Sequence, residues 1–212
     1  MLDALRPHLV ELVPVVRRAV GLDAKALVRV RATPGVLAVF TTLPFRVLVS
    51  RAIAVDQPLT LDVTVSGTDL IAWLDGDVNA ARPPESLDAQ WRGALPPQSG
   101  WRRLDTVPDD VIRPLIRAGA LALKDAAERE GVPGAEPRAE VSDALLDSVV
   151  LTVTHDDGGS AAIQLRTVSA LVRMGFVPRG STVGIDVAGR WTRVAGEYGA
   201  AYAEATGGLT LR

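Results

Sequence analysis

The stretch that decides the fold runs from residue 26 to residue 65 and reads ALVRVRATPGVLAVFTTLPFRVLVSRAIAVDQPLTLDVTV. It contains four runs rich in valine, leucine and isoleucine, separated by short segments that contain proline or glycine. Apolar runs of this length between such segments are typical of strands joined by turns. The stretch therefore predicts an antiparallel β-meander with strands over Ala26–Ala32, Val36–Thr41, Phe45–Val55 and Leu59–Val65.

The first of these strands alternates between charged and apolar residues. Arg29 and Arg31 alternate with Val28 and Val30. Because successive side chains of a strand point to opposite faces, the two arginines share one face and the valines share the other. The pattern predicts a sheet with one apolar face for the core and one polar face.

Helices are predicted around this sheet and further along the chain. Leucines and valines recur every three or four residues from Leu5 to Val20, which indicates an amphipathic helix. Pro14 lies inside this helix and is expected to kink it or to delay its start. A short helix is predicted over 68–74 and a longer one from 106 to 131. The last third predicts a helix over 167–175 and strands over 149–154, 161–165, 182–187, 190–194 and 209–211, with 198–205 ambiguous between strand and helix.

These elements together define the predicted fold class and domain organisation. We expect an α+β fold in which both ends of the chain contribute antiparallel meanders and helices pack on one side. The 212 residues are predicted to form one compact unit, with two possible lobes at 1–78 and 105–212. Proline and glycine between the lobes indicate an irregular connection over 79–104.

A weak repeat relates the two ends of the chain. Val16–Thr41 and Leu171–Val194 both read as a helix that ends near an arginine and a glycine and is followed by a β-meander. A helix-plus-meander unit used twice resembles, in pattern, the building block of DNA sliding clamps. The resemblance implies an alternative description of the fold, a clamp-like pseudo-repeat, and an alternative function, a nucleic-acid-associated clamp-like protein.

Composition excludes several classes of chemistry. The chain has no cysteine, which excludes disulfides, thiol nucleophiles and cysteine-ligated metals. Its first 21 residues carry charges, and no stretch reaches the length of uncharged apolar sequence that a membrane span needs. We therefore expect a cytoplasmic protein with no membrane partner. The preference for arginine over lysine is interpreted as a sign of a GC-rich bacterial genome.

Charge is the most informative feature for function. Residues 1–54 carry 8 basic and 3 acidic side chains, residues 55–157 carry 9 and 19, and residues 158–212 carry 6 and 3. If the two terminal meanders shared a sheet, a common positive face could bind a partner. Alternatively, the acidic middle neutralises that face within the molecule. The candidate binding residues are Arg29, Arg31, Arg46, Arg51, Arg190 and Arg193.

Two segments contain residue types used in metal binding or catalysis. Asp75-Gly76-Asp77-Val78-Asn79 begins like a calcium-binding EF-hand loop, but Ala80 and Ser86 replace the required glycine and glutamate, so no metal is predicted. The sequence from His155 to Ser160 predicts a hairpin turn. The alternative is that His155 with Asp156 or Asp157 serves a hydrolase-like enzyme.

The preferred function is therefore a non-enzymatic module that binds another protein or self-associates, without a cofactor. The alternatives are the hydrolase-like enzyme, a small-molecule sensor with an apolar pocket, and the clamp-like protein that associates with nucleic acid. The chain also has four tryptophans, which are interpreted as core or loop anchors, with a stacking platform as the alternative. They are Trp73, Trp91, Trp101 and Trp191.

Overall fold

The computed structural model describes residues 2–56, 58–76, 82–129, 142–155 and 158–204 of the chain. It divides into two compact units, Met1–Leu95 and Pro96–Arg212. The division falls within the segment 79–104 that the sequence analysis interpreted as an irregular connection. Each unit contains helices and a four-stranded antiparallel sheet, and the predicted α+β fold class is confirmed.

The first unit is built from two helices and four strands. In chain order its elements are α1 (Leu2–Leu22), β1 (Leu27–Thr33), β2 (Val36–Thr42), β3 (Leu48–Ala54), β4 (Leu61–Ser66) and α2 (Gly67–Asp75). Helix α1 contacts α2, β2 and β3. Leu5, Leu9 and Leu12 of α1 are fully buried, because their spacing places them along one side of the helix.

Helix α1 begins at Leu2, before both of its prolines, so the predicted delay of its start is wrong. Pro7 and Pro14 lie on the exposed side of the helix. A proline removes one backbone hydrogen bond and leaves the carbonyl four residues earlier without a partner. Those carbonyls belong to exposed residues, so water can bind them and the helix continues.

The sheet of the first unit has the strand order β4-β1-β2-β3. Strands β1 to β3 form the predicted meander, but β4 pairs with β1 and not with β3. In this register Asp62 of β4 lies directly opposite Arg31 of β1. Opposite charges facing each other across a ladder favour this pairing.

The second unit has a longer chain of elements. They are β5 (Arg102–Pro108), α3 (Asp109–Arg129), a helical segment over 142–147, β6 (Val149–Thr154), β7 (Ser160–Gln164), α4 (Leu165–Arg173), β8 (Thr182–Ala188), β9 (Trp191–Gly196) and β10 (Gly199–Glu204). Its main sheet has the order β10-β9-β8-β5, and β6 and β7 form a separate hairpin. The ambiguous segment 198–205 thus contains a strand, and the predicted strand 209–211 lies outside the described residues.

Strand β5 was missed by the sequence analysis, which placed the region up to residue 104 in a connection and began a helix at 106. Only Leu104 and Val107 of this strand are buried. Their spacing of three residues, and not two, arises because the register with β8 shifts between Arg103 and Asp105. A β-bulge of this kind hides the alternation by which a strand is detected in a sequence.

The two units repeat one internal layout. In the first, α1 precedes the meander β1-β2-β3, and a further strand, β4, pairs with the outer side of β1. In the second, α4 precedes the meander β8-β9-β10, and β5 pairs with the outer side of β8. Each further strand is followed directly by another helix, α2 or α3. The weak repeat seen in the sequence therefore corresponds to a repeated structural unit.

Candidate binding surfaces

Arg29 and Arg31 on β1 share one carboxylate, that of Asp62 on β4. Arg29 Nε donates to Asp62 Oδ1 at 2.6 Å and its Nη2 donates to Oδ2 at 3.0 Å. Arg31 Nε lies 3.9 Å from the same Oδ2. All three side chains remain partly exposed. The positive charge of β1 is therefore partly neutralised inside its own unit, by an acid of the middle segment.

The Arg29 guanidinium also holds a tryptophan. The side-chain hydrogen bond to Asp62 raises the pKa of Arg29, and the charges of Asp62 and Asp88 add to that effect while desolvation opposes it. The Arg29 guanidinium is permanently charged, and its Cζ lies 5.7 Å from the centroid of the Trp91 ring. This is a cation–π arrangement. The ion pair thus fixes a residue of the irregular connection against the sheet.

The segment before Trp91 is fastened to the edge of β4. Leu87 donates its backbone N–H to the carbonyl of Thr64 at 2.7 Å, and Thr64 donates its own to Asp88 Oδ1 at 2.6 Å. The hydroxyl of Ser86 and the Thr64 N–H lower the pKa of Asp88 because both donate to its charged form. Irregular backbone is therefore anchored here by specific hydrogen bonds.

The other two candidates in this unit lie elsewhere. Arg51 of β3 stands opposite Val39 of β2, and Val39 stands opposite Val30 of β1. Directly opposed residues share a face, so Arg51 belongs to the face of Val30 and not to that of Arg29 and Arg31. Arg46 occupies the exposed turn between β2 and β3 with φ of +61°. These arginines do not form the single common face considered from the sequence.

A second acid between two arginines lies in the other unit. Asp186 of β8 stands opposite Arg103 of β5 on one side and Arg193 of β9 on the other. Both arginines donate from Nε to its carboxylate, Arg193 at 2.9 Å. The Asp186 side chain is only 3% exposed. Gly184 leaves the space that the Arg103 guanidinium fills, and a side chain at this position would displace the guanidinium from Asp186.

Aromatic rings surround this ion cluster. Arg193 Cζ lies 4.4 Å from the centroid of the Trp101 ring, and Tyr202 of β10 stands opposite Arg193. The Tyr202 ring centroid is 5.9 Å from that of Trp101 and 6.4 Å from that of Trp191. Two of the four tryptophans therefore meet in a cluster with Tyr202, which the sequence analysis did not select.

The last candidate, Arg190, lies in the exposed turn between β8 and β9 and forms an ion pair with Glu204 of β10. Four residues of this surface were not predicted from the sequence: Arg103, Asp186, Glu204, and Trp101 as a partner of Arg193. One signal was available: Asp186 is a single carboxylate within the otherwise uncharged strand sequence TVGIDVA. A buried carboxylate in a strand requires paired cations.

His155 lies exposed at the β6–β7 hairpin. Its backbone N–H donates to the Gly159 carbonyl at 2.7 Å, and its carbonyl accepts from Gly158 at 2.9 Å. Gly158 has φ of +84°, the left-handed conformation expected of a glycine in this turn. Asp156 and Asp157, the partners of the hydrolase-like hypothesis, lie outside the described residues.

Asp75, the first residue of the EF-hand-like stretch, ends helix α2 and pairs with Arg17 of α1 at 2.6 Å. Gly76 caps the helix in the left-handed conformation, with φ of +79°. Residues 77–79 of the stretch lie outside the described residues. Within the described ranges no group of three histidine, aspartate or glutamate side chains is placed to hold a metal ion.

No helix in the described part of the chain is long and apolar enough to cross a membrane.

The fold of these two repeated units resembles that of DNA sliding clamps. The DNA polymerase sliding clamp of Pseudomonas aeruginosa superposes with a TM-score of 0.54 at 10% identity over 94% of this chain. That of Bacillus subtilis superposes with a TM-score of 0.54 at 11% identity over 95%. The DNA polymerase III subunit beta of Bartonella birtlesii bound to griselimycin gives 0.54 at 13% identity over 95%. This chain spans 64% of the length of each of the three.

Residues 96–208 match the family described as Domain of unknown function (DUF8185), and the chain belongs to that family. Residues 8–93 match a second one, Domain of unknown function (DUF8010). The two matched ranges correspond closely to the two compact units. None of the curated proteins matches the sequence well enough to count as a relative.

Proposed function

We propose that this protein is a non-enzymatic, nucleic-acid-associated protein of the sliding-clamp type. The observation that carries the proposal is the fold: two units with the same helix and sheet layout follow DNA sliding clamps over 94% of the chain. The alternative that the sequence suggested is therefore favoured over a general protein-binding module.

The ion pairing of the arginines favours weak, sliding contact with DNA over tight binding. Arg29, Arg31, Arg190 and Arg193 all form ion pairs with acids of their own unit. A guanidinium that already pairs with a carboxylate offers less attraction to a phosphate. A protein that moves along DNA needs a field that attracts phosphates without holding any one of them. The net charge of −2 fits weak electrostatic contact better than tight binding.

Exposed cations without an acidic partner are better candidates for phosphate contact. Within the described ranges, Arg117 of α3 and Arg179 of the α4–β8 connection form no ion pair, and both are exposed. We propose that such residues contribute to the attraction of DNA, while the ion-paired arginines of the sheets maintain the fold.

Fluorescence anisotropy with a labelled duplex tests this proposal. We expect weak binding whose log affinity falls linearly with log salt between about 50 and about 200 mM. Replacing Arg117 and Arg179 together by glutamine should reduce the slope by about 2, since each phosphate contact contributes about 0.9. The matched control, Arg29→Gln with Arg31→Gln, should leave the slope unchanged. Absence of binding to single- and double-stranded DNA at the lowest salt would contradict the proposal.

Self-association is a second candidate function, favoured by one observation. Helix α3 exposes Leu121 at 62% and Val111 at 44%, and such apolar side chains are common at contacts between subunits. The candidate predicts an oligomer in sedimentation equilibrium that Leu121→Lys weakens without a loss of melting temperature. A monomer at all concentrations would exclude it.

A further inference from the structure

A pocket of 210 Å³ lies in the first unit between the end of the α1–β1 connection and the segment that contains Trp91. It opens to solvent. Charged residues Asp23, Lys25 and Arg92 line it, together with apolar Ala26 and Leu27. The remaining lining residues are Thr42, Gln90 and Trp91. We name it the Trp91 pocket.

The wall that contains Trp91 is held in place from two sides. On one side, the Asp62–Arg29 ion pair positions a guanidinium against the Trp91 ring. On the other, Leu87 and Asp88 hydrogen-bond to Thr64 on the edge of β4. A ligand that enters the pocket therefore meets a ring that is already ordered, and a pre-ordered site costs less conformational entropy on binding.

The opposite wall is also shaped by hydrogen bonds. Asp23 donates its backbone N–H to the carbonyl of Ala19 at the end of α1, and its carbonyl accepts from Ala26 at 2.9 Å. Its Oδ1 accepts the backbone N–H of Lys25 at 2.9 Å. This compact turn fixes the backbone from which the Lys25 side chain extends.

The charge of the pocket favours an anion. Lys25 and Arg92 are exposed, and neither forms an ion pair with any residue that the structure describes. The Asp23 carboxylate is the single acid of the lining, so the lining has two cations and one anion. Arg29, the other cation near Trp91, is already paired with Asp62.

The volume limits the size of the ligand. Pockets that enclose a drug-sized molecule measure roughly 300–1,000 Å³, so this pocket accepts a single ring with one charged group. The Trp91 ring and the apolar side chains of Ala26 and Leu27 suit a flat apolar group, while Lys25 and Arg92 suit oxygen atoms that carry negative charge.

We propose that the Trp91 pocket binds a ligand group in which an oxyanion, phosphate or carboxylate, is attached to a planar ring. The Lys25 ammonium and the Arg92 guanidinium bind the oxyanion, and the ring packs against Trp91. An aryl phosphate supplies the phosphate form and an aromatic acid supplies the carboxylate form. The proposal is independent of DNA association, because it concerns a concave site in one unit.

Nuclear magnetic resonance titration of the full-length, ¹⁵N-labelled chain tests this site. The probes are phenyl phosphate, benzoate and phenol, which has the ring without the oxyanion. We expect saturable shifts of the Trp91 indole N–H and of the Lys25 backbone N–H with phenyl phosphate or benzoate, and binding of phenol weaker by about tenfold. Tighter binding of phenyl phosphate identifies a phosphate ligand, and tighter binding of benzoate identifies a carboxylate ligand.

Charge variants distinguish a site from non-specific contact. Lys25→Gln and Arg92→Gln should each weaken binding about three- to fivefold, the effect of one partly exposed ionic contact. Asp23→Asn should strengthen it, because the amide oxygen still accepts the Lys25 N–H while the repulsion is removed. Arg173→Gln, which removes an exposed cation from the other unit, should change nothing.

The proposal is overturned if neither phenyl phosphate nor benzoate gives saturable shifts at Trp91 and Lys25. It is also overturned if the Lys25→Gln, Arg92→Gln double variant binds as tightly as the unmodified protein. The substituted basic residues are all exposed, and an unchanged melting temperature verifies that each variant is folded. The variant Trp91→Phe assigns the indole signal. If that variant does not fold, the Lys25 resonance still reports on the site.

Discussion

Asp186 lies directly opposite Arg193 in the β8–β9 ladder, with 2.9 Å between Oδ2 and Nε, and its carboxylate is 3% exposed. Asp62 in the first unit also pairs with two arginines, but both of them, Arg29 and Arg31, lie on the one neighbouring strand β1, and the Asp62 side chain is 37% exposed. Each unit thus contains one acid that two arginines share, at different depths. This difference determines the size of the first predicted effect.

We expect Asp186→Asn to lower the free energy of unfolding by about 2 kcal/mol, because it leaves two guanidinium groups beside a neutral and nearly buried side chain. The matched variant Asp62→Asn should cost less than about 1 kcal/mol, since water screens the more exposed pair. Urea unfolding measures both. Equal losses in the two variants would contradict the role assigned to burial.

Changing Arg29 and Arg31 together to glutamate should lower the melting temperature. The variant places two carboxylates beside Asp62, so a shared attraction becomes a repulsion between like charges. Differential scanning calorimetry measures the shift, and high salt should reduce it because it screens partly exposed charges. If the melting temperature stays the same while binding to a partner is lost, these arginines serve binding and not the fold.

The pH dependence of stability should depend on Asp109. Hydrogen bonds from Arg113 Nε at 2.7 Å and from the Gly180 N–H at 3.1 Å lower the pKa of Asp109. Its contribution is therefore fully present above the unfolded-state pKa of about 3.9 and is lost as pH falls through the lower folded-state pKa.

Asp109→Asn should flatten the loss of melting temperature as the pH falls below about 4. The control is Asp110→Asn, which removes a neighbouring exposed carboxylate of the same helix turn. An unchanged acid profile for Asp109→Asn would show that this carboxyl does not couple protonation to folding.

The hairpin between β6 and β7 should tolerate loss of its histidine but not of its glycine. Gly158 has φ of +84°, which a β-branched side chain resists, so Gly158→Val should cost at least about 1 kcal/mol. His155→Ala leaves the two backbone hydrogen bonds of residue 155 in place and should cost less than about 0.5 kcal/mol. Thermal melts of the two variants provide the comparison. A measured hydrolase activity that His155→Ala abolishes in a folded protein would restore the enzyme hypothesis.

Local patterns in the sequence were sufficient for most of the fold. Strand β1 was predicted because Arg29 and Arg31 alternate with buried valines, and α1 because its leucines recur at helical spacing. Strand β5 escaped detection because its bulge breaks the alternation. The pairing of β4 with β1 depends on contacts between distant residues, which local periodicity does not encode.

The candidate binding surfaces were harder to predict for the same reason. Charge counted by segment indicated basic ends, but the register brings Asp62 to Arg31 and Asp186 to Arg193. Trp101 looked isolated in the sequence, but the centroid of its ring lies 5.9 Å from that of Tyr202. The β9–β10 ladder places Tyr202 opposite Arg193. The charged and aromatic residues that share a surface can be identified only when the strand order is known.

The proposed clamp-like association with DNA should depend on the topology of the DNA. The measurement is the retention of the full-length protein on nicked circular DNA in an extract of the cells that make it, before and after a single cut linearises the DNA. A clamp that encircles or slides along DNA remains on the circle and escapes over the ends, so we predict retention on the circle and its loss after the cut. Equal retention on circular and linear DNA, or none on either, would contradict the account.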